Sequence, residues 1–119
     1  MKKTVVIGAS PNPARFSHLA TINLLNSGYE VIPLGVRSGD IAGHEIVTIR
    51  PTLFDVHTVT MYLTATRQQE WYDYIIGLQP IRIIFNPGAE NDELAELARN
   101  NGIQTIDACT LVLLSSNQY

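Results

Sequence analysis

Short runs of β-branched and aliphatic residues alternate with stretches at helical spacing along the whole chain, and this alternation restricts the fold more than any other feature. Thr4 to Ile7, Tyr29 to Leu34, Thr58 to Leu63, Ile81 to Phe85 and Ile103 to Ile106 read as strands, with Glu45 to Ile49 as a short edge strand in a glycine-punctuated stretch. Leu19, Ala20, Ile22, Leu24 and Leu25 give the first helix an apolar face that stops at Ser27 and Gly28. Two start signals compete for it: Asn12 before Pro13, and Ser17, of which Ser17 is preferred. Thr66 and Gln69 match a capping box ahead of Trp71, Tyr72, Ile75, Ile76 and Leu78, an aromatic stripe read as core in a helix that breaks around Gly77 and Pro80. Asn91 to Asn100 forms the next helix, with Asp92 and Glu93 where the helix dipole favours acids and Gly102 as its left-handed stop. Cys109 to Leu114 makes a short terminal helix.

Five strands separated by helices predict a doubly wound, Rossmann-like α/β fold, with a mostly parallel five-stranded sheet and helices on both faces. At 119 residues, folding buries roughly two-thirds of the unfolded surface, enough for a single domain spanning 1–119. Ligands of such sheets bind beyond the carboxyl ends of the strands where the strand order reverses. The residues just after each strand therefore carry the functional information.

The net charge of -3 and a pI near 5.5 argue against nucleic-acid and anionic-membrane partners, which need a basic surface. Cys109 is the only cysteine, so no intramolecular disulfide forms, and Val5 to Ile7 after Lys2 and Lys3 is too short for a signal core or a bilayer span. A cytoplasmic protein is expected. Any phosphate ligand must be held by local donors.

The stretch from Gly8 to Ser17 lies where a doubly wound fold holds phosphates. Gly8 and Ala9 let backbone approach the ligand, Ser10 and Ser17 add hydroxyls, and the helix start supplies free N–H groups. Arg15 opposes the helix dipole there, a penalty that a bound anion reverses. Ser10 and Pro13 stand where a dinucleotide fingerprint has its second and third glycines, which disfavours NAD. After the second strand, Gly35 is followed by Arg37 with no acid placed for a ribose diol, an arrangement that suits the phosphorylated ribose of coenzyme A or NADP.

Gly8-Ala9-Ser10 with Pro13 and Ser17, then Asn86-Pro87-Gly88-Ala89-Glu90-Asn91, and finally Asp107 to Leu114 resemble the small stand-alone CoA-binding domains. That family is similar to the N-terminal CoA-binding domain of the succinyl-CoA synthetase alpha subunit and of ADP-forming acyl-CoA ligases. The resemblance implies that Gly8, Ala9, Ser10 and Ser17 hold the pyrophosphate of coenzyme A. It implies adenosine near Gly35, Arg37, Tyr62 and Leu63, and a pantetheine arm passing Asn86, Pro87 and Gly88. The sequence departs from the family after the second strand, where Pro33-Leu34-Gly35-Val36-Arg37 replaces the Asn-Pro-Lys pattern. Such ligases phosphorylate a histidine in a following domain, so the resemblance implies no catalytic step for the residues matched here.

His18, His44 and His57 lack the pairing of a metal site or of a nucleophile beside a base. Cys109 reads as a buried, inert cysteine, although a place at the start of the last helix would favour its thiolate and a mixed disulfide with the coenzyme thiol. The residues thus predict a non-catalytic carrier, sensor or regulatory module for coenzyme A or an acyl-CoA, with a protein partner or self-association left open. Two alternatives stand beside it: an NADP or other nucleotide binder, and a structural or protein-interaction domain.

Overall fold

The computed structural model describes residues 2–119. In chain order its elements are β1 (Thr4–Ile7), α1 (Phe16–Asn26), β2 (Val31–Leu34), β3 (Asp40–Ile41), β4 (His44–Glu45), β5 (Thr58–Met61), α2 (Ala65–Gln68), a 3-10 turn (Gln69–Trp71), α3 (Tyr72–Leu78), β6 (Arg82–Phe85), α4 (Asp92–Asn100), β7 (Gln104–Asp107) and α5 (Thr110–Ser115). The main sheet has five strands in the order β2-β1-β5-β6-β7, every neighbouring pair parallel. The order reverses between β1 and β5, so the loops after those two strands diverge and leave a crevice at their carboxyl ends.

All residues of β1 and β5 are buried, as parallel strands covered on both faces must be. Side chains alternate across the sheet. Val5, Ile7, Val59, Met61, Ile83 and Phe85 pack with Trp71, Ile75, Leu94 and Ala98 of the α3 and α4 layer. Val6 and Ile84 pack on the opposite side with Leu24 of α1, and Leu113 and Leu114 of α5 close that layer. This is the doubly wound, Rossmann-like architecture expected.

Several boundaries differ from the sequence expectation, each for a local reason. Glu45 to Ile49 is not a continuous edge strand. Ala42 and Gly43, both at positive φ, form a two-residue turn between β3 and β4, and Val47 alone meets the sheet, beside Leu34. The first helix starts neither at Asn12 nor at Ser17. The Asn12 side chain accepts from the Ala14 N–H and its carbonyl from the Arg15 N–H, and this turn delivers the chain into α1 with Arg15 in the capping position. Ser17 is then a buried residue of the first helical turn. The capping box at Thr66 does not form either: Thr64 precedes α2, and the 3-10 turn interrupts the helix before Trp71. Gln68 faces inward and donates to the carbonyls of Leu63 and Ala89, which ties this interruption to two neighbouring loops.

Helix α3 ends at Leu78 with Gln79 as its cap, between Gly77 and Pro80 where the break is expected. Gln79 takes the left-handed conformation (φ 48°), whereas Gly77 lies inside the helix with open space around a hypothetical Cβ. Gly77→Ala is therefore expected to stabilise the protein by about 0.5–1 kcal/mol. Gln79→Gly, relieving the left-handed conformation, should add roughly another 1 kcal/mol. Urea unfolding of the single and double variants checks both, and a loss of stability in either would contradict the assignment.

Candidate functional site

Three crossover loops meet at the reversal of strand order. The loop after β1 leaves the sheet through Gly8 (φ 95°), and the N–H groups of Gly8 and Ala9 both donate to the Leu34 carbonyl at 3.1 and 2.9 Å. That contact holds the first loop against the end of β2. Gly35 makes it possible, because a Cβ there would stand 2.3 Å from the Ala9 carbonyl oxygen. A glycine at Gly8 serves the other side: a Cβ would lie 3.2–3.3 Å from Leu63 and the Tyr62 backbone, with the positive φ adding strain.

The first loop is braced from within. Ser10 Oγ accepts from the Asn12 N–H at 3.1 Å, and Nδ1 of the buried His18 lies 2.9 Å from the Ser10 carbonyl. These contacts leave the backbone N–H groups of Ser10, Phe16 and Ser17 without a partner among the described residues. The last two belong to the first turn of α1, where helical N–H groups have no intrahelical acceptor.

The crevice is a cleft of about 990 Å³, at the upper end of the range for small-molecule sites. Of the residues singled out in the sequence, Gly8, Ala9, Ser10, Arg15, Ser17, Gly35, Arg37, Tyr62, Leu63 and Pro87 line it. Asn86 and Gly88 do not. The Asn86 side chain is buried between strands: Nδ2 donates to Thr60 Oγ1 and the Met61 carbonyl at 2.8 and 2.9 Å, and Oδ1 accepts from the Thr110 N–H at 2.8 Å. Gly88 turns away at φ 91°, its N–H donating to the Glu90 carboxylate.

One wall escaped the sequence reading. Thr66, Arg67, Gln69, Glu70 and Trp71 line the cleft from α2 and the 3-10 turn. With a continuous helix from Thr66 in mind, these residues read as capping and core positions. The inward turn of Gln68 presents their neighbours to the cleft instead. The signal available in the sequence was the charge of Arg67, in the crossover that follows β5.

The electrostatics of the cleft are opposite to those of the whole chain. Arg15, Arg37 and Arg67 are exposed and form no ion pair among the described residues. The single acid on the lining, Glu70, is held at 3.0 Å by Arg50, whose guanidinium stacks 4.0 Å over the Trp71 ring. Three unneutralised guanidinium groups therefore surround one cleft on a chain of net charge -3.

At the floor, burial pushes the Tyr62 phenol up to about 12, against a smaller opposing effect from Thr110. Its hydroxyl is enclosed and has no well-formed hydrogen bond. Tyr62 therefore stays neutral across the physiological range. Cys109 precedes α5, half-buried rather than enclosed, and lies outside the cleft lining. No group of three or more potential metal ligands occurs among the described residues, and no helix there is long and apolar enough to cross a membrane.

The fold has counterparts among known proteins. A crystal structure of an uncharacterized protein superposes with a TM-score of 0.98 at 44% identity, covering 100% of this chain and 98% of the other. A hypothetical protein from Pyrococcus horikoshii OT3 superposes with a TM-score of 0.83 at 21% identity, covering 97% of this chain and 82% of that one. The dinucleotide-forming acetyl-coenzyme A synthetase 1 of Ca. Korarchaeum cryptofilum, solved with phosphate and ADP, shares the fold over 90% of this chain and 25% of its own, with a TM-score of 0.72 at 18% identity. No curated protein matches the sequence. The CoA binding domain family matches residues 2–115, nearly the full length, and the chain belongs to that family.

Proposed function

We infer that this protein binds coenzyme A or an acyl-CoA in the cleft at the strand-order reversal, as a non-catalytic carrier, sensor or regulatory module. The observation that carries this reading is the set of unspent donors around the cleft: the Ser10, Phe16 and Ser17 N–H groups, with Arg15, Arg37 and Arg67. Coenzyme A bears a pyrophosphate and a separate 3′-phosphate, and such donors match two anionic groups better than one. In this reading Gly8, Ala9, Ser10 and Ser17 meet the pyrophosphate, and Arg15 completes its charge balance. Adenosine lies against Gly35, Tyr62 and Leu63, with Arg37 toward the 3′-phosphate.

A thermal-shift series with coenzyme A, acetyl-CoA, dephospho-CoA, NAD, NADP and ATP tests the reading. Coenzyme A at about 100 times its Kd should stabilise the fold by about 2.7 kcal/mol, raising the Tm by roughly 10 °C for a domain of this size. An equal or larger shift with NADP would move the assignment to NADP, which the absence of an acid after β2 also suits. No shift with any nucleotide would leave a protein-interaction domain.

Arg37→Ala provides a finer test. Because Arg37 is exposed, its contact with the 3′-phosphate belongs to the weak class of about 0–1 kcal/mol, a factor of at most about 5 in affinity. The substitution should weaken coenzyme A by up to that factor while leaving dephospho-CoA unchanged, and the difference should shrink as salt rises. Equal weakening of both ligands would place Arg37 on a part they share.

A further inference from the structure

The acid on the cleft lining is paired with a residue from a distant segment. Arg50 belongs to the irregular stretch between β4 and β5, 20 residues before Glu70, and is itself off the lining. Its guanidinium reaches the 3-10 turn from outside the cleft. Nη1 donates to the Glu70 carbonyl at 2.7 Å and Nη2 to Glu70 Oε1 at 3.0 Å, while the group as a whole lies 4.0 Å over the Trp71 ring. The residue after it is anchored too, because the Tyr74 hydroxyl donates to the Pro51 carbonyl at 2.6 Å and the Tyr74 ring meets Trp71 edge-on. A fork of donors, a ring beneath it and a fixed neighbour hold Arg50 against Glu70 in one geometry.

The two side chains are 38% and 69% exposed, and a pair so open to water adds little to stability. Its effect on the cleft is of another kind. Arg15, Arg37 and Arg67 share the lining with Glu70, which is the one acid there among the described residues. With Arg50 in place the Glu70 charge is cancelled; without it, a bare carboxylate would oppose the anion that the three arginines attract. A cleft of about 990 Å³ is about 10 Å across, so a phosphate inside it stands on the order of 10 Å from Glu70, a distance over which one charge is felt at low salt and screened at high salt.

We propose that Arg50 is a specificity-determining residue of this site, acting through Glu70 from outside the cleft to cancel the negative charge on the lining and so favour multiply phosphorylated ligands over less charged ones. This rests on the coenzyme A reading above and adds to it a source of charge selection in a segment remote from the first loop. The contribution of Arg50 grows with the number of charges on the ligand. A purely structural anchor would support every ligand of the cleft alike.

The experiment is a calorimetric titration of the intact protein and of Arg50→Met, Glu70→Gln and the double variant with coenzyme A and dephospho-CoA, at about 20 mM and about 0.5 M salt. Coenzyme A carries about four negative charges at neutral pH and dephospho-CoA about two. Methionine keeps an apolar chain over Trp71 while removing the charge. At the lower salt Arg50→Met should weaken coenzyme A about fivefold and dephospho-CoA about twofold, and Glu70→Gln should tighten coenzyme A by a factor similar to the first. The double variant, neutral at both positions, should recover to within about twofold of the wild type, and at the higher salt every difference should fall below about 1.5-fold. Equal weakening of both ligands by Arg50→Met, a loss that persists at the higher salt, or a double variant as weak as Arg50→Met would overturn the proposal, since each marks lost structure rather than charge. Affinity unmoved by Arg50→Met would overturn it as well. If coenzyme A does not bind the wild type, the underlying reading fails and the proposal with it; if coenzyme A binds but the variants do not follow this order, the role of Arg50 alone is wrong.

Discussion

Replacing Asn86 by leucine is expected to destabilise the protein by about 3–5 kcal/mol, which corresponds to a fall in Tm of roughly 12–20 °C for a domain of this length. Asn86 is 2% exposed, and its side chain makes three hydrogen bonds that join β5, β6 and the start of α5. Leucine is close in size and would fill the space. It would leave the Thr110 N–H without an acceptor inside the protein, at about 1–3 kcal/mol for such a group, and would remove the donor to the Met61 carbonyl and Thr60. Thr60 and Thr110 retain their own contact at 2.8 Å, so the damage stays local. Asn86→Asp separates the two functions of the amide. It keeps an acceptor for the Thr110 N–H but turns a carboxylate toward the Met61 carbonyl, so it should destabilise at neutral pH and recover on acidification, when the protonated acid regains a donor. Chemical denaturation at pH 7 and pH 4 measures both variants. A loss below about 1 kcal/mol for Asn86→Leu would mean that these bonds contribute no more than water would.

The second large effect is expected at Gly35. A Cβ at this position would stand 2.3 Å from the Ala9 carbonyl oxygen and 3.1 Å from Ile46 Cγ2. The first obstacle is backbone, so no side-chain rotation relieves it. Gly35→Ala must push the first loop off the end of β2, stretching the bonds from Gly8 and Ala9 to the Leu34 carbonyl. Overpacking of this kind costs about 1–3 kcal/mol and sometimes more. The same displacement carries Ser10 and the start of α1 away from their places on the cleft wall. Coenzyme A affinity should consequently fall by at least about 30-fold, a larger loss than removal of any exposed arginine produces. Gly88→Ala is the matched control. Its positive φ (91°) makes alanine unfavourable, but the Cβ would meet nothing within 4 Å and the residue is off the lining. It should lose about 1 kcal/mol of stability with unchanged affinity. If Gly35→Ala retained full affinity in calorimetry, close packing of the first two loops would not be what shapes the site.

The strands were readable because burial on both sides leaves near-continuous β-branched runs, as in Thr4 to Ile7 and Thr58 to Met61. The position of the cleft followed from the topology those strands require. What escaped the sequence depended on contacts between distant segments. Asn86, within an Asn-Pro-Gly turn, has the composition of a ligand loop, and only the neighbouring strand shows that its amide bonds Thr60 and Met61. The start of α1, expected at Ser17, falls earlier because the Asn12 turn delivers the chain into the helix with Arg15 in the capping position, and Ser17 is buried in its first turn. The α2 wall was missed because the burial of Gln68, satisfied by carbonyls of Leu63 and Ala89, breaks a helix whose periodicity looked continuous.

The register of β1 has a kinetic corollary. Thr4 lies beside both Val31 and Thr58, so the central strand joins partners from well-separated parts of the chain, and each parallel pairing must close a long loop before it is rewarded. The cleft borrows its walls from all three of these strands, so it has no existence in a half-folded chain. A ligand that fits it therefore has nothing to grip on the way up the folding barrier and everything to hold on the way down. Its stabilisation would be expressed as slower unfolding with an unaltered folding rate, making the bound form long-lived rather than quickly made.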